Sequence, residues 1–212
     1  MMTNDKEFNF DNQRFLRQLF FEERTIFLEG VMFDAYVSDA TMPWGWTCSP
    51  RGVIDQLIYL SREPIKPIRI FIDSGGGSLN TAIALHDIMK TMPCPLYTIA
   101  LGLAASAATL ILAAGTQGKR FIFPHAKTMI HPPRLRGSID ADDKEINIIK
   151  EELEKSKNTY VELLAKYTNK QKEDISALMS RGEFWMNAEE TKAFGLVDHI
   201  IMNFSDIGIN LN

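Results

Sequence analysis

The chain has 212 residues, a length that suits one domain able to bury a sizeable core. It is 45% hydrophobic and 24% charged with a net charge of −4, an ordinary globular balance that lacks the clustered basic surface nucleic acid requires. Two cysteines, Cys48 and Cys94, make neither a disulfide framework nor a zinc spacing, so both read as small, inert side chains suited to a reducing compartment.

The first thirteen residues are polar and acidic, where a secretory leader would be basic and then apolar. They read as an N-terminal arm, 1–13. "FLRQLFFEERTIFLEG" follows and ends in the strand-like "RTIFLEG". "AYVSDATMPWGWTCSPRG" is rich in turn residues and reads as a loop or short hairpin, with an inserted segment at 36–50. Val53, Ile54, Leu57, Ile58 and Leu60 then recur at helical spacing.

"PIRIFID" is a short β-rich run that stops at Gly75, Gly76 and Gly77. "SLNTAIALHDIMKTM" predicts a helix with a broad apolar face, capped by Ser78. "PLYTIAL" reads as a strand and "AASAATLILAAG" as a buried helix ended by Gly115. That apolar run is too short and too rich in small residues for a membrane span. "KRFIFP" and "KTMIHPP" give two more strands. The β-α-β-α-β alternation predicts one α/β domain, 1–212, with a parallel sheet and crossover helices.

The last third is charged and helix-prone. Ile146, Ile149, Leu153, Tyr160 and Leu164 form a thin apolar stripe within a long helix at 140–167. At 1.5 Å per residue it runs roughly 40 Å, more than a small core needs. Part of it should therefore project and meet a partner. "QKEDISALM" and "NAEETKAFG" predict two further helices, and "LVDHII" a last strand.

Three features bear chemistry. A Gly-rich turn at a strand end can aim backbone N–H groups at an anion, although a tight turn needing positive φ explains the glycines equally well. Nucleotide binding by this chain is not expected: "GGGS" lacks the phosphate-loop spacing, and "GTQGK" has Ala113 where that motif needs glycine. Ser106 follows a strand and opens a helix, which exposes a hydroxyl above the sheet; alone, it is also simply a small residue among alanines. His131 ends a strand, is stiffened by Pro132 and Pro133, and is the usual type of base for serine. Gly77, Ser106 and His131 follow successive strands of one alternating sheet, so their loops should share an edge, as acyl transfer requires.

"IDSGGGS", "ALGLAASAATLILAAGTQGKRFIFP" and "MIHPP", in this order and spacing, resemble the ClpP family, the proteolytic subunits of the Clp protease. "RTIFLEG" is similar to the family's first strand and "WMNAEETKAFGLVDHII" to its closing segment, so the resemblance spans roughly residues 14–35 and 50–202. It implies a crotonase-like α/β fold and a serine endopeptidase acting in protein quality control in the cytoplasm. It also implies heptameric rings stacked through the long handle helix into a tetradecamer. The family's unfolded substrates are supplied by a separate AAA+ unfoldase, which uses the ATP; no cofactor is expected in this chain.

Carried over by position, Ser106 is the nucleophile and His131 the base. The N–H groups of Gly77 and Ala107 form the oxyanion hole. For the third member, counting back from Ala188 reaches Glu183, and counting forward from the handle reaches nearer Gly182. The chain departs from the family pattern at Gly75, where the family has proline, at Pro132, where it has glutamine, and at Arg181 and Gly182, where an Asp-Arg pair is usual. Trp44 and Trp46, in the inserted segment, are expected to modify or block unfoldase docking. Two other readings stand beside the active peptidase: a catalytically weak or inactive ring subunit assembling with an active paralogue, and a crotonase-like acyl-CoA enzyme, which would not need the Ser-His pair.

Overall fold

The computed structural model describes residues 10–32, 50–134 and 142–209. The inserted segment with Trp44 and Trp46 therefore lies outside the described residues except for Pro50, as do Cys48 and residues 1–9 of the arm. The remainder of the predicted arm is already helical, in α1 (Phe10–Glu22). Strand β1 (Thr25–Met32) follows. Helix α2 (Pro50–Leu60) starts on a proline, whose missing N–H costs nothing in a first turn.

Then come β2 (Ile68–Gly77), α3 (Leu79–Thr91), β3 (Leu96–Ala105), α4 (Ala107–Ala113), β4 (Arg120–Ile122) and β5 (Lys127–Ile130). The long helix is α5 (Asp143–Thr168), fixed at its start by a capping box between Asp142 and Glu145. Helix α6 (Lys172–Ser180), β6 (Phe184–Met186), α7 (Ala188–Phe194), β7 (His199–Ile200) and a 3-10 turn (Phe204–Ile207) complete the chain. Ser78 caps α3 as expected, accepting from the Thr81 N–H. Among the described residues no helix is long and apolar enough to cross a membrane.

The sheet runs β1-β2-β3-β4-β7 with parallel neighbours. This is the expected α/β architecture, and it is built on period-2 alternation. Ile70, Ile72, Ala100 and Ile122 face the main core under α2, α3 and α4. Phe71, Ile99 and Phe121 face the opposite side, where Ile201 and Ile207 cover them. The central strands are buried on both faces, hence their near-continuous apolar runs.

Two boundaries and one strand differ from the sequence expectation. The glycines do not follow β2 as a turn; they are its last residues, laddered to β1 with Gly77 beside Met32. Strand β3 does not stop at Leu101 but continues through Ala104 and Ala105, which the sequence pattern places in the helix. Alanine favours a helix by intrinsic propensity, but here pairing overrides it. β3 leaves β4 after Ala100 and then pairs with β5, from Leu103 opposite Lys127 to Ala105 opposite Met129. The third difference is β6, which runs antiparallel to β5 and was not foreseen.

Arg120 ties the far side of the sheet together. Its guanidinium grips Asp198 through Nε (3.0 Å) and Nη2 (2.5 Å), and its Nη1 donates to the carbonyls of Tyr167 and Gly195. One side chain thus joins β4, the end of α5 and the end of α7. Burial alone would raise the Asp198 carboxyl, but hydrogen bonds and charge from Arg120 hold it below its ordinary range. A depressed carboxyl contributes stability above its unfolded value, near 3.9, and loses it as pH falls through the lower folded value. Asp198→Asn is therefore expected to cost about 3 kcal/mol at neutral pH. In melting scans across pH, its deficit against the parent should shrink below about pH 4.

Candidate active site

Four chain segments converge at one sheet edge: the carboxyl ends of β2, β3 and β5, and the start of the antiparallel β6. Ser106 sits between β3 and α4 with φ 57° and ψ −128°. A non-glycine residue there costs on the order of 1–3 kcal/mol and persists only where its surroundings enforce it. Its N–H donates to the Met129 carbonyl of β5 at 2.7 Å. Its carbonyl accepts from the Thr109 N–H (3.0 Å), and the Thr109 hydroxyl (2.6 Å) and the Tyr160 hydroxyl (2.9 Å) lie against it as well. Every residue of α4 is buried, so the helix that follows Ser106 is anchored in the core.

The glycine segment touches this elbow. A Cβ on Gly76 would lie 2.5 Å from the Ala105 carbonyl oxygen, 2.7 Å from the Ser106 Cβ and 2.8 Å from the Ala107 nitrogen. Only a glycine allows that approach, and φ +85° at Gly76 favours glycine again. Gly75, by contrast, has open space around it and no positive φ. The Gly76 N–H donates to the Ser74 hydroxyl (3.1 Å), which donates in turn to the Gly30 carbonyl of β1 (2.6 Å). The Ser78 N–H donates to the Met32 carbonyl, also on β1.

His131 follows directly on β5 and is half-buried. Its Nδ1 lies 2.6 Å from the Pro132 carbonyl oxygen. A carbonyl only accepts, so this contact places the imidazole proton on Nδ1 and leaves the lone pair on Nε2. That is the tautomer a general base needs. Among the other histidines, His86 is 5% exposed and lies 2.8 Å from Asp87 and 2.6 Å from the Tyr167 hydroxyl, which makes it a core residue. His125 and His199 are exposed.

The β5–β6 ladder pairs Met129 with Trp185 and Ile130 with Phe184. His131 and Glu183 are the residues next outward from the last pair, Ile130 and Phe184. The Glu183 carboxylate lies 3.6 Å from Arg134 and accepts from the Trp185 indole N–H at 3.1 Å. Gly182 forms the turn into β6 with φ +113° and offers no side chain. Arg134, Trp185, Ser74 and Thr109 carry no local sequence pattern that marks them for the site. Tyr160 belongs to the apolar stripe, and its hydroxyl at the buried end of that stripe is the one signal that it does more than pack.

A family model described as Clp protease matches residues 46–204. The ATP-dependent Clp protease proteolytic subunit 2 of Corynebacterium glutamicum is 39% identical over 147 residues, 69% of this chain and 72% of that protein. The subunit 2 protein of Corynebacterium diphtheriae is 37% identical over the same share of each chain. The proteolytic subunit 1 of Corynebacterium jeikeium is 37% identical over 69% of this chain and 77% of that protein. With three quarters of its length matched and the α/β frame in place, the chain belongs to the Clp protease family.

Proposed function

We propose that this chain is a serine endopeptidase subunit that cleaves unfolded polypeptides inside a ring assembly. One observation carries the reading. Ser106 occupies a strained strand-to-helix elbow, touches the Gly76 backbone, and is bonded through its N–H to the strand that leads directly into His131. Ser106 Oγ attacks the scissile carbonyl and passes its proton to His131 Nε2. The tetrahedral oxyanion is held by the N–H groups of Gly77 and Ala107. Collapse expels the amine, which takes the proton from His131, and water then releases the acyl group by the same route.

Strand alternation supports Gly77 as a donor. The N–H groups of Gly76 and Ser78 are directed to the β1 side. Alternation turns the intervening Gly77 N–H away from β1. Ala107 is the first residue of α4, so its N–H is not needed inside that helix. Glu183 is the acid of this reading; to serve His131 its carboxylate turns from Arg134 and Trp185 and takes the place of the Pro132 carbonyl at Nδ1. The second reading, a weak or inactive ring subunit, rests on the engagement of that same carboxylate by Arg134 and Trp185.

The assembly belongs to the proposal too: heptameric rings stacked as a tetradecamer, with an AAA+ Clp unfoldase supplying substrate and spending the ATP. The C. glutamicum relative is named as ATP-dependent, and the exposed first half of α5 offers a surface for such stacking. A cytoplasmic setting suits the free, buried Cys94.

A fluorophosphonate probe is expected to label the assembled protein, and Ser106→Ala to abolish both labelling and hydrolysis of a short fluorogenic peptide. An unlabelled, inactive parent would favour the second reading. Substitution of the glycines separates crowding from flexibility. Gly76→Ala should lower kcat by roughly 10²–10³, the loss expected when an oxyanion site is displaced. Gly75→Ala should keep parental kinetics and gain about 0.4–1 kcal/mol in stability, measured by peptide hydrolysis and thermal melting.

A further inference from the structure

The geometry points to Tyr160 and Thr109 as positioning residues that hold the Ser106 carbonyl and so fix the nucleophile, an inference that rests on Ser106 being that nucleophile. The Tyr160 and Thr109 hydroxyls lie 2.9 and 2.6 Å from the Ser106 carbonyl oxygen and 2.6 Å from each other. Two hydroxyls carry two hydrogens, and the triangle has three short sides. If both hydrogens went to the carbonyl, two oxygens would face each other at 2.6 Å with nothing between them. The satisfied arrangement is a chain in which one hydroxyl donates to the carbonyl and the other donates to the first. Thr109 is fully buried and Tyr160 is 2% exposed, so water does not substitute for either.

The location gives the clamp its consequence. Tyr160 is the first buried residue along α5; every described side chain from Lys144 to Thr159 is exposed or half-buried. The long helix thus enters the core at the residue that touches the nucleophile's own peptide group. Residue 106 holds φ 57° only while the groups on either side of it are tethered: its N–H by β5, its carbonyl by α4 and α5. Loosening the carbonyl lets the peptide plane between Ser106 and Ala107 rotate. That rotation swings the Ala107 N–H relative to the Ser106 hydroxyl and so misaligns donor and nucleophile. Neither Tyr160 nor Thr109 touches substrate, so the effect belongs to kcat and not to KM.

The test compares Tyr160→Phe, Thr109→Val, Thr109→Ser and the double variant Tyr160→Phe/Thr109→Val with the parent and Ser106→Ala. Fluorophosphonate labelling rate, peptide kcat and KM, melting temperature and ring assembly are measured for each. Tyr160→Phe and Thr109→Val are each expected to lower labelling rate and kcat by about 3–10-fold, the worth of one buried hydrogen bond. KM should stay within about twofold, and Thr109→Ser should restore the rate. In the double variant the two losses should combine non-additively, because the hydroxyls share one network. Parental kinetics in the double variant, with labelling still abolished by Ser106→Ala, overturns the clamp and leaves the serine reading intact. Losses that follow melting temperature alone, or that Thr109→Ser does not restore, also overturn it. Labelling that survives Ser106→Ala overturns the serine reading, and the clamp with it.

Discussion

The arrangement depends on one peptide unit held in a conformation it would not choose. Ser106 sits at φ 57° between the end of β3 and the start of α4. Its N–H is drawn to β5 and its carbonyl toward Thr109 and Tyr160, while the Gly76 backbone closes against it. Each tether comes from a different element, so the strain is spread over the whole sheet edge and not stored in one contact. The same tethers explain why neighbours must be small. Alanines flank Ser106 on both sides, and a Cβ at Gly76 would collide with the elbow.

The sheet supplies the reach. β3 is long enough to pair with β4 along its first half and β5 along its second. That handover brings the end of β5, and His131 with it, alongside the elbow. β6 then folds back on β5, and its last rung pairs Ile130 with Phe184, the neighbours of His131 and Glu183. Away from this edge, Arg120 and Asp198 lock β4 to the ends of α5 and α7. The buried half of α5 is thereby pinned at both ends, by Tyr160 near the site and by Arg120 on the Tyr167 carbonyl.

Much of this was legible in the sequence, for identifiable reasons. That Gly77, Ser106 and His131 stand at strand ends is readable from the hydrophobic pattern. The strands are β2, β3 and β5, however, and β4 lies between the last two, so alternation alone does not place His131. The Ser78 cap and the long charged helix are local signals, and both appear in the structure. The misjudged boundaries are tertiary. Ala104 and Ala105 look helical in isolation and become strand only because β2 and β5 flank them. β6 is three residues long, too short for any period to show. The orientation of Glu183 depends on Arg134 and Trp185, which no local pattern links to it. The hydroxyl of Tyr160 was hidden because a tyrosine in an apolar stripe counts first as bulk.

The central claim is that Ser106 attacks and that Gly77 and Ala107 receive the resulting oxyanion. A crystal structure of the assembled protein after reaction with a fluorophosphonate tests it most directly. The account predicts a phosphorus–oxygen bond to Ser106, with the phosphoryl oxygen about 2.7–3.1 Å from the Gly77 and Ala107 nitrogens. An adduct on any other side chain, or a phosphoryl oxygen turned away from both nitrogens, would contradict it.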